Sequence, residues 1–154
     1  MLGLVDWEAW ASKAERAIDM GAGGDWQGLF APGATFADPA NPATGDLRDI
    51  TRQTRAVFPD WTQEITSIRG GDDWAVFEWI GRATYTADGP GNGTPIVMHG
   101  ATIVEVDERG LVTSWRDYLD RKEPEDQIRA AARASAGAVS RKRSQPNAQP
   151  ATDQ

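Results

Sequence analysis

The 154-residue chain fits one domain with a sizeable core, and its 40% hydrophobic and 25% charged content is ordinary for a soluble globular protein. A net charge of -7 argues against nucleic acid as a partner, since phosphate binding needs a positive field. The lack of cysteine excludes disulfides and thiolate catalysis, and a lone histidine excludes a His-rich metal site.

The first residues, MLGLVDWEAW, carry acids where a leader peptide would carry bases, and no long apolar run follows. A cytoplasmic protein with no membrane contact is expected. In residues 5–20, Trp7, Trp10, Ala14, Ala17 and Met20 recur at spacings of three and four, which predicts an amphipathic helix opened by Asp6 and stopped by Gly21 to Gly24. Asp25 to Phe30 reads as a second short helix, and Thr35 to Ala37 as a brief strand before the loop DPANPATGD. Leu47, Ile50, Thr54 and Val57 then mark a helix over 46–57, with Pro59 just past its end.

From Trp61 the period changes to two. Four strands are predicted over 61–69, 73–86, 94–106 and 111–119, and the turn-rich separators GGD, ADGPGNG and DERG imply an antiparallel meander. The glycines of ADGPGNGT lead into no helix, so that segment is a hairpin loop and not a phosphate cradle. EDQIRAAARASAG forms a terminal helix. The domain is placed at 1–136, and the polar, Pro-containing residues 137–154 read as a mobile tail whose basic cluster, SRKRS, is too short for a binding domain. Helices followed by a long antiparallel sheet give an α+β fold: a conical curved sheet wrapped around the N-terminal helices, whose open end is a small-molecule pocket.

Asp117 is the first candidate for chemistry. Alternation places it on one face with Trp115 and Leu119, where desolvation raises a carboxyl's pKa towards neutrality; a strand-end salt bridge is the plainer alternative. Asp38 closes the strand TFAD before Pro39, as a second pocket carboxylate or simply as a turn initiator. Glu78 and Arg82 share a face with Ile80. The reading leans inward for these three, which leaves Phe77, Trp79 and Tyr85 as an outer stripe for a homodimer partner to cover. His99 falls with Glu105 on the outer face, a structural position, although a pocket histidine would be a ready proton carrier.

These residues resemble a family. Three helices, a strand ending in FADP and a sheet closing with GLVTSWRDYLD are similar, over roughly residues 5–125, to the nuclear transport factor 2-like superfamily of conical α+β barrels (cystatin-like), and within it to the SnoaL-like group. That group includes limonene epoxide hydrolases, polyketide cyclases and ketosteroid isomerases. SWRDYLD resembles the epoxide hydrolase strand whose aspartate activates water, which implies that role for Asp117. FAPGATFADP resembles the isomerase segment whose Asp before Pro is the general base, which implies that role for Asp38.

The departures are equally specific. The hydrolases' Arg-x-Asp falls on Ile80 and Arg82, and their water-holding Tyr on Phe36. The first helix lacks the isomerases' Tyr, and their acid falls on Thr102. The expected protein is a cofactor-independent, metal-free acid/base enzyme acting on a hydrophobic small molecule, either a cyclase or isomerase working through an enolate or an epoxide hydrolase. The alternative is a binding or dimerisation module. The expected pocket comprises Phe36, Glu78, Ile80, Arg82, Met98, Thr102, Trp115 and Leu119 around Asp38 and Asp117.

Overall fold

The computed structural model describes residues 3–144. Helix α1, Trp7–Ile18, is capped by the Asp6 carboxylate, which accepts from the Ala9 amide, and it buries Trp10, Ala11, Ala14 and Ile18. The expected second helix is a single 3-10 turn, Trp26–Leu29, with Asp25 accepting from Gly28. Helix α2, Leu47–Val57, follows its Asp46 cap and buries Ile50 and Thr51.

Strands β1 (Phe30–Ala37), β2 (Thr62–Gly70), β3 (Trp74–Tyr85), β4 (Thr94–Val106) and β5 (Val112–Leu119) form one sheet in the order β1-β5-β4-β3-β2. The meander β2 to β5 is antiparallel as expected, with β3 and β4 joined by a hairpin in which Gly89, Gly91 and Gly93 take positive φ. Strand β1 departs from expectation: it is longer than 35–37 and pairs parallel to β5, so the sheet is mixed, five-stranded and open. Pro32 and Gly33, which look like a terminator, sit instead at a register shift between Phe30 and Thr35. An edge strand tolerates the missing proline N–H there.

Helix α3, Lys122–Arg143, runs past the expected boundary, so residues 137–143 are helical and not a loose tail; residues 145–154 lie outside the described ones. Strand β4 outlasts β5, whose last paired residue, Leu119, faces Gly100. Beyond that point two α3 side chains replace the missing strand. Gln127 accepts from the Val97 amide and donates to the Val97 carbonyl at 2.8 and 2.7 Å, and Glu123 accepts from the His99 amide at 2.9 Å.

The phase of β3 is opposite to the expected one. Ala75, Phe77, Trp79 and Gly81 are buried, whereas Glu78 and Arg82 are exposed and Ile80 is half-buried on the outer face. The aromatic stripe therefore faces the core, and the argument for a homodimer covering it falls away. Phe77 packs on Trp10 and Trp115 with ring centroids 5.9 and 5.4 Å apart, and Trp79 packs on Trp61 at 6.0 Å. Burying a large ring is worth about 1.5–3 kcal/mol, while Arg82 loses nothing by pairing with Glu64 in water at 3.2 Å. His99 lies outside as expected, its Nδ1 2.6 Å from Glu123 Oε1.

Candidate active site

Parallel pairing of β1 with β5 brings the two candidate carboxylates together. Ala37 and Arg116 are the last register partners of the two strands, and Asp38 and Asp117 follow them directly, near enough for the charge of Asp38 to be felt at Asp117. Asp38 ends β1 by folding the chain back on itself. Its Oδ1 accepts from the Ala40 and Asn41 amides, each at 2.7 Å, and from Asn41 Nδ2 at 3.0 Å; Oδ2 accepts from Asn41 Nδ2 at 3.1 Å. The turn that Asp-Pro initiates is thus also the clamp that holds the carboxylate.

Asp117 is fixed by a relay of side chains. The Trp79 indole donates to Thr102 Oγ1 at 2.8 Å, and Thr102 donates to Asp117 Oδ1 at 2.5 Å. The Trp115 indole donates to the same oxygen at 2.7 Å. An indole N–H can only donate, so Thr102 accepts from Trp79 and directs its own proton at Asp117. Oδ1 is thereby occupied twice, while Oδ2 has no hydrogen-bond partner among the described residues. Burial pushes the Asp117 carboxyl up to about 7; the Thr102 and Trp115 bonds oppose that rise, and the negative charge of Asp38 adds to it.

Both aspartates line one cavity of about 190 Å³. Of the residues expected around it, Phe36, Met98, Trp115 and Leu119 line it. Thr102 is fully buried behind the wall and acts on the cavity only through Asp117. Glu78, Ile80 and Arg82 lie on the other face of the sheet and His99 beside α3, so none of these four belongs to the pocket. Trp61, Gln63 and Trp79 line it instead, together with Ile50 and Thr54 of α2 and Phe58 beyond it. The helical spacing of Ile50 and Thr54 was a usable signal for two of these; Trp79 was hidden by the inverted phase of β3, and Trp61 and Gln63 lie at the start of β2, to which no inner face was assigned. Gly81 and Gly100 make room for the two indoles, because a Cβ at Gly81 would overlap Trp61 and one at Gly100 would overlap Trp79. Among the described residues no Lys, Arg or His side chain lines the cavity, and there is no group of three or more His, Cys, Asp or Glu placed to hold a metal.

Residues 9–115 match the family model of the SnoaL-like domain. The chain belongs to that SnoaL-like family. No curated protein matches. Among solved structures, this SnoaL-like chain is similar to IdmH, a "putative polyketide cyclase" from Streptomyces antibioticus, at 19% identity and TM-score 0.67, covering 80% of this chain and 99% of that one. It is also similar to a protein of ketosteroid isomerase-like fold from Catenulispora acidiphila, at 21% identity, TM-score 0.62 and coverage of 82% and 94%. A third is an LEH-like epoxide hydrolase of M. tuberculosis, at 18% identity, TM-score 0.57 and coverage of 86% and 92%. At these identities the likeness establishes the shared α+β fold with its curved sheet. The SnoaL-like match stops two residues short of Asp117, so the weight given to that carboxylate rests on the geometry above.

Proposed function

We propose that the protein is a cofactor-independent acid/base catalyst acting on a neutral, largely apolar carbonyl compound, as a cyclase or isomerase working through an enolate. The observation that carries this reading is the pairing of Asp117, pushed up to about 7 and with Oδ2 unpartnered, with a negatively charged Asp38 in one apolar cavity. In the forward step a carboxylate oxygen of Asp38 takes a proton from the carbon next to the substrate carbonyl. The C–H electron pair moves onto the carbonyl oxygen, and Asp117 Oδ2–H donates a proton to that oxygen.

Return of the proton from Asp38 to a different carbon completes an isomerisation, and Asp117 recovers its own proton as the carbonyl reforms. In a cyclisation the nucleophilic carbon instead forms a bond to a second carbonyl carbon, whose π pair moves onto its oxygen; that oxygen takes the proton held by Asp38, while the enol O–H returns its proton to Asp117 as the first carbonyl reforms. Both carboxyl groups are thereby reset. No Lys, Arg or His among the described residues lines the cavity that holds both carboxyl groups, which favours a neutral substrate there; Arg121 lines only the adjoining depression, which shares Asp38, Phe58, Met98 and Leu119 with it.

Epoxide opening by an Asp117-activated water is the second reading, favoured by the SWRDYLD motif and by the fold shared with the epoxide hydrolase neighbour. It is weakened by Arg82, which occupies the position of that family's Arg-x-Asp acid and lies outside the cavity paired with Glu64. The enolate reading is tested by following exchange of the α-hydrogens of 2-tetralone in D2O by NMR. Wild type is expected to exceed buffer-catalysed exchange and Asp117→Asn to lose roughly 100-fold or more of that excess; equal rates in the two proteins would sink the reading.

A further inference from the structure

The described residues contain one buried side-chain polar atom without a hydrogen-bond partner, and it belongs to a cavity residue: Gln63 Nε2. Gln63 is 9% exposed. The orientation of its amide is not arbitrary. Gln63 Oε1 lies 3.3 Å from the Trp61 indole nitrogen, which can only donate, so the oxygen must face Trp61 and the NH2 group is the one left over. Leaving a buried donor unpaired is costly, and side chains in native structures seldom do so without a reason.

Gln63 stands on the inner face of β2, level with Gly81 of β3 and, through it, with Met98 of β4. Asp117 is on β5, three strands away from β2, a path of about 14 Å along the sheet at roughly 4.8 Å per strand. Both side chains nevertheless line the same cavity, from strands three apart in the sheet. We propose that Gln63 Nε2 binds an acceptor oxygen, a ketone or ester carbonyl, at the end of the ligand remote from Asp117. The substrate class is therefore an elongated, neutral, apolar molecule bearing a second carbonyl far from the reacting one. A carboxylate is disfavoured at that end because no Lys, Arg or His among the described residues lines the cavity; a hydroxyl oxygen can accept from Nε2 but must also place its own proton on a further acceptor, which a carbonyl need not do. The proposal rests on the enolate reading only for which end of the ligand reacts; recognition at Gln63 stands without it.

The test reads binding and not turnover, so its outcome is independent of the proton-transfer reading. The probes are 2-acetylnaphthalene and 2-ethylnaphthalene, alike in shape and differing by the carbonyl, titrated by tryptophan fluorescence into wild type, Gln63→Met and Asp117→Asn. Wild type is expected to favour the acetyl compound about tenfold. Gln63→Met is expected to reduce that preference to within twofold, and Asp117→Asn to keep it. A second readout needs no variant: in wild type the acetyl probe moves the Gln63 side-chain 15N–1H signals downfield and the ethyl probe leaves them in place. Preference retained in Gln63→Met, preference lost in Asp117→Asn alone, or an unmoved Gln63 amide at a saturating acetyl probe each overturns the proposal, as does failure of either probe to bind.

Discussion

The indole of Trp79 occupies the space in which a side chain of Gly100 would begin, across the rung that pairs the two residues on β3 and β4. Trp79 is also the first donor of the relay ending on Asp117. Gly100→Ala is therefore expected to destabilise the fold by about 1–3 kcal/mol through overpacking, seen in urea unfolding. It should also perturb the Asp117 titration, although residue 100 touches neither carboxylate.

Asp117 costs the folded protein stability wherever it is ionised. Its folded pKa, about 7, lies above its unfolded one, so its contribution is intact below the unfolded value of about 4 and is lost as pH rises through 7. Asp117→Asn should accordingly unfold at higher denaturant than wild type at pH 8, by up to about 4 kcal/mol, with the difference shrinking towards pH 5. A variant that gains stability while losing exchange activity would mark the residue as one kept for chemistry. A variant less stable than wild type at pH 8 would contradict the burial argument.

Thr102 supplies a hydrogen bond that favours the ionised form of Asp117. Thr102→Val should raise the Asp117 pKa above the wild-type value and carry the alkaline limb of the pH–rate profile upward with it, whereas Thr102→Ser should leave both near wild type. The titration is read from carboxyl 13C shifts.

Asp38 acts in the opposite sense. Its charge helps to raise Asp117, so Asp38→Asn should lower the Asp117 pKa and abolish the base. Exchange of 2-tetralone should fall at every pH, and Asp117 should titrate at a lower pH than in wild type.

Gln127 tests how α3 is held. Gln127→Ala removes both bonds to the Val97 backbone, and amide exchange at Val97 and its neighbours is expected to accelerate while that of Val104, fully buried in the centre of the sheet, stays slow.

Much of this architecture was legible in the sequence, and the failures have physical causes. The capped helix at Trp7–Ile18, the helix ended before Pro59 and the four long strands follow from periodicity and turn residues alone. Asp117, Met98, Trp115 and Leu119 were expected in the pocket from the alternation along their strands, and Asp38 from its place before Pro39 and the resemblance of FAPGATFADP; all five line the cavity. Strand β3 misled because Glu78, Ile80 and Arg82 alternate with Phe77, Trp79 and Gly81 so that either face offers a plausible inside; three-dimensional burial of the rings decided it. The parallel partner of β5 was hidden by Pro32 and Gly33, and no local pattern announces a pairing between segments some eighty residues apart.

That parallel pairing has a consequence for how such a site can vary. Neighbouring strands bring the two acids together through the backbone, while Trp115 and, through Thr102, Trp79 hold the Asp117 carboxyl. Methionine and glutamine of the wall bond to neither acid and can be exchanged to suit molecules of another outline without the proton-carrying pair being moved apart. The chemistry is written into the backbone, and the choice of substrate into the furniture around it.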